Sequence, residues 1–129
     1  MKFLRCDLGA LGEGKYDIVL SSHVYQLLQA DERRAFRETV MSSLKPGGLL
    51  FLSTLSVRDP EHYGKGSPVP GEPNSFVDKV YLHLFAREEL MHDFGFLEIK
   101  ELYEHEYAEP RATGEAHHHI LWILNGECI

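Results

Sequence analysis

Two short apolar runs, Tyr16-Asp17-Ile18-Val19-Leu20 and Leu49-Leu50-Phe51-Leu52, bracket a stretch with a different rhythm. Each run has the length of a strand buried in a sheet. Between them, from Asp31 to Leu44, Phe36, Val40 and Leu44 recur every four positions with Ala35 and Met41 alongside, while Glu32, Arg33, Arg34, Arg37 and Glu38 occupy the other faces. That spacing predicts an amphipathic helix with Asp31 as its N-cap. Lys45-Pro46-Gly47-Gly48 follows at once: proline stops the helix, and the glycine pair permits a tight reversal with positive φ. The unit therefore reads strand, loop, helix, turn, strand.

The flanks carry the same kinds of signal. Phe3 to Leu8 reads as a short strand ending at Gly9, and Gly12-Glu13-Gly14 as a turn. Downstream, Arg58 to Asn74 is rich in proline and glycine and is expected to be irregular, the length of a functional cover or a disordered connection. Val80 to Phe85 reads as a further apolar run. A short helix should begin near Arg87 and close at Gly95, with Leu90, Met91 and Phe94 inward. From Leu97 to Tyr107 the residues alternate, with Ile99, Tyr103 and Tyr107 on one side and Lys100, Glu104 and Glu106 on the other, as in a half-exposed strand. Ile120-Leu121-Trp122-Ile123-Leu124 is apolar on both faces and belongs inside a sheet. A loop at Pro110 to Gly114 should join these last two strands as an antiparallel hairpin. The expected class is α/β with a mixed sheet: parallel early strands and antiparallel C-terminal ones.

Composition narrows the partners. The 129 residues are 43% hydrophobic, enough for one domain, taken as 1–129. A formal charge of −7 without a Lys/Arg cluster argues against nucleic acid. Cys6 and Cys128 show no Cys-x-x-Cys spacing, and no run approaches a membrane span, so a cytoplasmic, membrane-free setting is expected.

The strand from Phe3 to Asp7, then Tyr16 to Ser22, then Leu44-Lys45-Pro46-Gly47-Gly48-Leu49-Leu50-Phe51, then Arg87-Glu88-Glu89-Leu90 and Gly95-Phe96, together resemble the back part of a class I S-adenosylmethionine-dependent methyltransferase. The resemblance implies a partial Rossmann-like fold that lacks the family's first two strands and its Gly-x-Gly-x-Gly loop. Gly9, Gly12 and Gly14 imitate that spacing, but they do not open a helix after a strand. It also implies S-adenosylmethionine as cofactor and methyl transfer to a small-molecule acceptor. In open sheets ligands lie beyond the carboxyl ends of the strands, which makes Asp7, Ser21, Ser22, His23 and Ser56 the candidate site wall.

On this resemblance Asp7 matches the acidic residue that accepts from the adenine amino group, with the Leu8 backbone beside it. Ser21 and Ser22 match the position that approaches the methionine part of the cofactor. His23 and Tyr25 fall on the acceptor side as the candidate catalytic residues, His23 as a general base where the acceptor must lose a proton. Tyr63, Tyr81 and His83, in or after the long loop, are candidates to bind the substrate. His117-His118-His119 with Glu115 invites a metal, but consecutive strand residues point to opposite faces and a third ligand is not apparent, so no metal is expected. Without a first strand beside it, the strand from Asp17 to Leu20 should present an open edge. The alternative function is therefore a catalytically inactive module that forms a homodimer or larger assembly through that edge.

Overall fold

A computed structural model of the chain describes residues 16–110, 114 and 116–129. Asp7 and Leu8 lie outside them. Among the described residues, four strands form the main sheet in the order β1-β2-β7-β6: β1 (Tyr16–Ser22), β2 (Leu44–Leu55), β7 (Ala116–Glu127) and β6 (Glu98–Pro110). β1 and β2 are parallel, while β2 with β7 and β7 with β6 are antiparallel, so the mixed sheet is as the sequence indicates. The central position of β7 explains why Ile120 to Leu124 is apolar on both faces.

Lys45-Pro46-Gly47-Gly48, expected as a turn ahead of the strand, instead belongs to the start of β2 and bulges out of its pairing with β1: Tyr16 lies opposite Leu44, yet Ile18 lies opposite Leu49. Gly47 has φ of 82° and donates its N–H to the Cys128 carbonyl at 2.7 Å. A Cβ on Gly48 would lie 2.9 Å from the Lys45 carbonyl oxygen and 3.1 Å from that of Tyr16. Both glycines are therefore required, one for its dihedral and one for the close approach of three backbone segments.

Two helices cover one face of the sheet. Helix α1 (Ala30–Ser43) and helix α2 (Arg87–Asp93) set Phe36, Val40, Leu90 and Phe94 against Leu50, Leu52, Trp122 and Leu124. The N-cap of helix α1 lies two residues earlier than the pattern predicts: it is Gln29, whose N–H donates to the Glu32 carboxylate at 3.0 Å. Asp31 instead sits in the first turn, where its charge suits the helix dipole. Met41 and Met91 are exposed rather than inward. Arg33, expected on the polar face, is buried, with its guanidinium donating to the Leu28 carbonyl at 2.7 Å and the Tyr81 hydroxyl at 3.0 Å.

The strand from Leu97 to Tyr107 also departs from simple alternation. A bulge between Ile99 and Glu101 resets the register. Ile99 and Leu102 consequently both pack on the helical face, and Tyr103 turns to the other side. Glu104 is drawn inward, accepting from Ser56 Oγ at 2.8 Å and Arg58 at 2.9 Å.

Most of the difference lies between β2 and α2. Within the segment expected to be irregular only β3 (Ser67–Pro68) is strand, the rest being turns and bends; it pairs with β4 (Ser75–Asp78), which with β5 (Val80–His83) completes a second sheet, β3-β4-β5. Phe76 and Leu82 of this small sheet pack with Leu55, Leu84 and Leu121, covering one end of the main sheet's second face.

Candidate functional site

At the carboxyl end of β1, Ser21 is buried while Ser22 and His23 are exposed. His23 has φ of 58°, and its N–H donates to the Ser53 carbonyl at 3.0 Å, which pins the strand-to-loop corner to β2. Positive φ is uncommon for a non-glycine residue and concentrates where a turn aims a side chain. Ser22 Oγ accepts from Ser53 Oγ at 3.3 Å. Ser21 Oγ is buried without a hydrogen-bond partner among the described residues, as is Thr54 Oγ1. Ser21, Ser22 and His23 thus lie together at the carboxyl end of β1.

Tyr25 is not part of it. Its side chain is fully buried, and its ring centroid lies 5.0 to 5.2 Å from those of Phe36, Phe85 and Phe94. The hydroxyl donates to Asp93 at 2.7 Å and accepts from Arg37 at 2.8 Å. Burial, reinforced by the Asp93 carboxylate, raises its pKa far above the ordinary tyrosine range, and Arg37 opposes this only in part. Tyr25 is therefore a core anchor, and the acceptor-side role expected of it is corrected.

His83 is likewise buried and engaged at both nitrogens, Nδ1 with Ser75 Oγ at 2.6 Å and Nε2 with Glu89 at 2.7 Å. The Tyr81 hydroxyl accepts from Arg33 and donates to Glu72 at 3.2 Å. Both residues tie the small sheet to the helical layer, so their expected substrate contacts give way to packing. Tyr63 remains half exposed; its hydroxyl donates to Asn74 at 2.8 Å, and its ring meets Phe76 edge-on. Ser56 is buried beneath Glu104 and does not line an open wall.

A cavity of about 470 Å³ lies elsewhere, under the folded loop, with Glu61, His62, Phe76, Leu82, His117 and His119 in its lining. Behind it sits Asp59, fully buried. Asp59 Oδ1 accepts the N–H groups of Glu61 at 2.9 Å and His62 at 3.1 Å, and Oδ2 accepts that of Ile120 at 3.0 Å. His62 Nδ1 lies 3.1 Å from Oδ1, and His119 Nδ1 lies 3.5 Å from Oδ2. The other nitrogen of His119 meets Glu109 at 3.1 Å, and His117 Nδ1 meets Glu61 at 3.0 Å. Burial, with the nearby Glu109 and Asp59 carboxylates, also raises the pKa of the Tyr107 hydroxyl, whose ring is 5.3 Å from that of His119.

This cluster supplies what the sequence did not reveal. His117 and His119 do share a strand face, and the loop after β2 brings Asp59 and His62 to meet them. The available signals were the Asp59-x-x-His62 spacing and the alternation of His117 with His119. Because Leu55 pairs with Leu121, the start of β7 runs past the carboxyl end of β2. The cluster therefore stands at the same end of the sheet as Ser22 and His23, where open α/β sheets take ligands.

The sheet order, the helical layer and the antiparallel hairpin together define part of the S-adenosylmethionine-dependent methyltransferase fold. No family model and no curated protein matches the sequence. Among solved structures, a SAM-dependent methyltransferase of Methanosarcina mazei superposes with a TM-score of 0.72 at 18% identity, over 93% of this chain and 62% of that one. The 1,6-didemethyltoxoflavin-N1-methyltransferase of Burkholderia thailandensis, solved with 1,6-didemethyltoxoflavin and S-adenosylhomocysteine, gives 0.64 at 17% identity, over 98% and 50%. The N-methyltransferase NodS of Bradyrhizobium japonicum, in complex with S-adenosyl-L-homocysteine, gives 0.53 at 14%, over 95% and 52%. The chain spans between about half and three-fifths of the length of these methyltransferases. Among the described residues no helix is long and apolar enough to cross a membrane.

Proposed function

We propose that this chain belongs to a methyltransferase that moves a methyl group from S-adenosylmethionine to a small-molecule acceptor, in a cytoplasmic setting. The observation that carries this reading is the β1 corner: a buried Ser21, then Ser22 and a positive-φ His23 held open at the carboxyl end of a parallel strand, within a sheet of methyltransferase order. Asp7 and Leu8 would hold the adenine, Ser21 and Ser22 the methionine part, and His23 the acceptor side. A sulfonium methyl is already activated, so the protein's contribution is in-line positioning, with His23 taking a proton where the acceptor carries one. Calorimetric titration of the chain with S-adenosylhomocysteine tests the reading. Micromolar binding is expected, weakened about tenfold by Asp7→Ala through loss of one hydrogen bond to the adenine. Binding that Asp7→Ala leaves unchanged would remove the adenine assignment.

A second reading, a non-catalytic module that self-associates, is favoured by one surface. β1 has a single strand neighbour among the described residues. On the sheet face opposite the helices, Leu20 is 64% exposed and Tyr103 47%, with Ile18 and Phe51 also open. An unpaired edge beside an apolar face is a template for a second copy of the chain. Sedimentation at rising concentration should show a dimer or larger species that Leu20→Lys returns to monomer. A monomer throughout would eliminate this reading.

A further inference from the structure

We propose that Asp59, His62 and His119 form a binding site for a divalent transition-metal ion of the zinc class, with an open coordination position facing the cavity beneath the loop. One ligand atom from each of the three residues lies within 4.8 Å of those of the other two. Two imidazoles and one carboxylate are a donor set suited to zinc and its neighbours, and three protein ligands leave a position for water or a ligand.

The hydrogen-bonding around His119 points the same way. Both of its nitrogens face carboxylates, Glu109 at 3.1 Å and Asp59 at 3.5 Å. A neutral imidazole has one N–H to offer. With that N–H on Nε2 and donated to Glu109, the Nδ1 lone pair is aimed at Asp59 Oδ2, an arrangement that a cation between them turns from repulsion into ligation. Glu109 then fills the part of the outer carboxylate that orients a metal-bound histidine.

Asp59 has the capacity for this. Oδ1 is occupied by two backbone N–H groups, whereas Oδ2 accepts one backbone N–H and keeps a lone pair free. The local charge also calls for a cation. Asp59, Glu61, Glu109 and Asp78 stand in or beside the cavity, against Lys65. Fixing Asp59 through three backbone groups makes the site preorganised rather than assembled on demand. The donors come from two distant parts of the chain, so an ion here would also join the loop to β7.

The site does not depend on the methyltransferase reading and is tested without it. The full chain, freed of metal with a chelator and dialysed, is titrated calorimetrically with zinc chloride. Saturable binding of one ion per chain is expected. His62→Gln and His119→Gln should each weaken it at least tenfold, and Glu109→Gln, at a half-exposed outer position, by about 10–100-fold. His92→Gln, on the exposed side of α2, should leave it unchanged. Cobalt substituted for zinc should develop a visible absorption band that His119→Gln abolishes. No saturable binding, or binding indifferent to His62→Gln, His119→Gln and Glu109→Gln, would overturn the proposal. Cooperative unfolding of each variant keeps loss of the site separate from loss of the fold.

Discussion

Tyr25→Ala should destabilise the protein by about 3–5 kcal/mol, the range for deleting a large aromatic side chain from a packed core. Urea unfolding followed by circular dichroism would read it as a lower midpoint. The loss has two sources. Removing the ring empties the space between Phe36, Phe85 and Phe94, where neighbouring side chains have little freedom to collapse. Removing the hydroxyl leaves Asp93 and Arg37, which are 3.5 Å apart and mostly buried, without the group that bridges them. Tyr25→Phe isolates the second source and should cost about 1–2 kcal/mol.

The same residue sets an alkaline limit. In the folded protein Tyr25 binds its proton more tightly than the ordinary value of 10.0, chiefly because burial disfavours the phenolate. The unfolded chain therefore releases this proton first as the pH rises. Below about pH 10 both states hold it and Tyr25's full contribution is present; above that, unfolding is favoured and stability declines. Tyr25→Phe should flatten the decline between pH 10 and higher values, at about the ordinary tyrosine range.

What could be read in the sequence was whatever depends on local period. Tyr16 to Leu20, Asp31 to Leu44, Leu49 to Leu52 and Ile120 to Leu124 each announce their element through apolar spacing, and the Pro-Gly-Gly turn fixes their order. The misreadings share another character. Tyr25 follows a strand end where the resemblance places an acceptor, but its ring is captured by Phe36 of α1 and by Phe85 and Phe94, which flank α2 and are close to it only in the fold. Arg33 looks solvent-facing on a helical wheel, yet Tyr81 and the Leu28 carbonyl satisfy its guanidinium. β3 and β4 are invisible to periodicity because Ser67–Pro68 is too short to alternate, and glycines and prolines mask the hairpin. Gly66 shows why such residues are there: it has φ of 83°, and a Cβ on it would fall 2.3 Å from the Val77 carbonyl oxygen.

Asp59 is the extreme case of a residue whose meaning is non-local, since its partner Ile120 lies 61 positions away. Asp59→Ala is expected to cost about 3–5 kcal/mol, comparable to Tyr25→Ala, although the side chain is small and polar. Alanine would leave the N–H groups of Glu61, His62 and Ile120 without their acceptor, and those that water cannot reach lose a full desolvation penalty. Asp59→Asn separates shape from charge. Its carbonyl can still accept from Glu61 and His62, while its NH₂ faces the Ile120 N–H, so a smaller cost of about 1–3 kcal/mol is expected. Guanidinium unfolding in the presence of a chelator reads these values with any metal contribution removed. The loop from Arg58 onward should loosen before the rest of the sheet, because Asp59 connects it to β7. Hydrogen exchange would show this as lost protection at Glu61, His62 and Ile120 in Asp59→Ala, with the β1–β2 pairing retained. Equal protection in wild type and variant would mean that the loop is held by the apolar contacts of Phe76 and Leu82 alone.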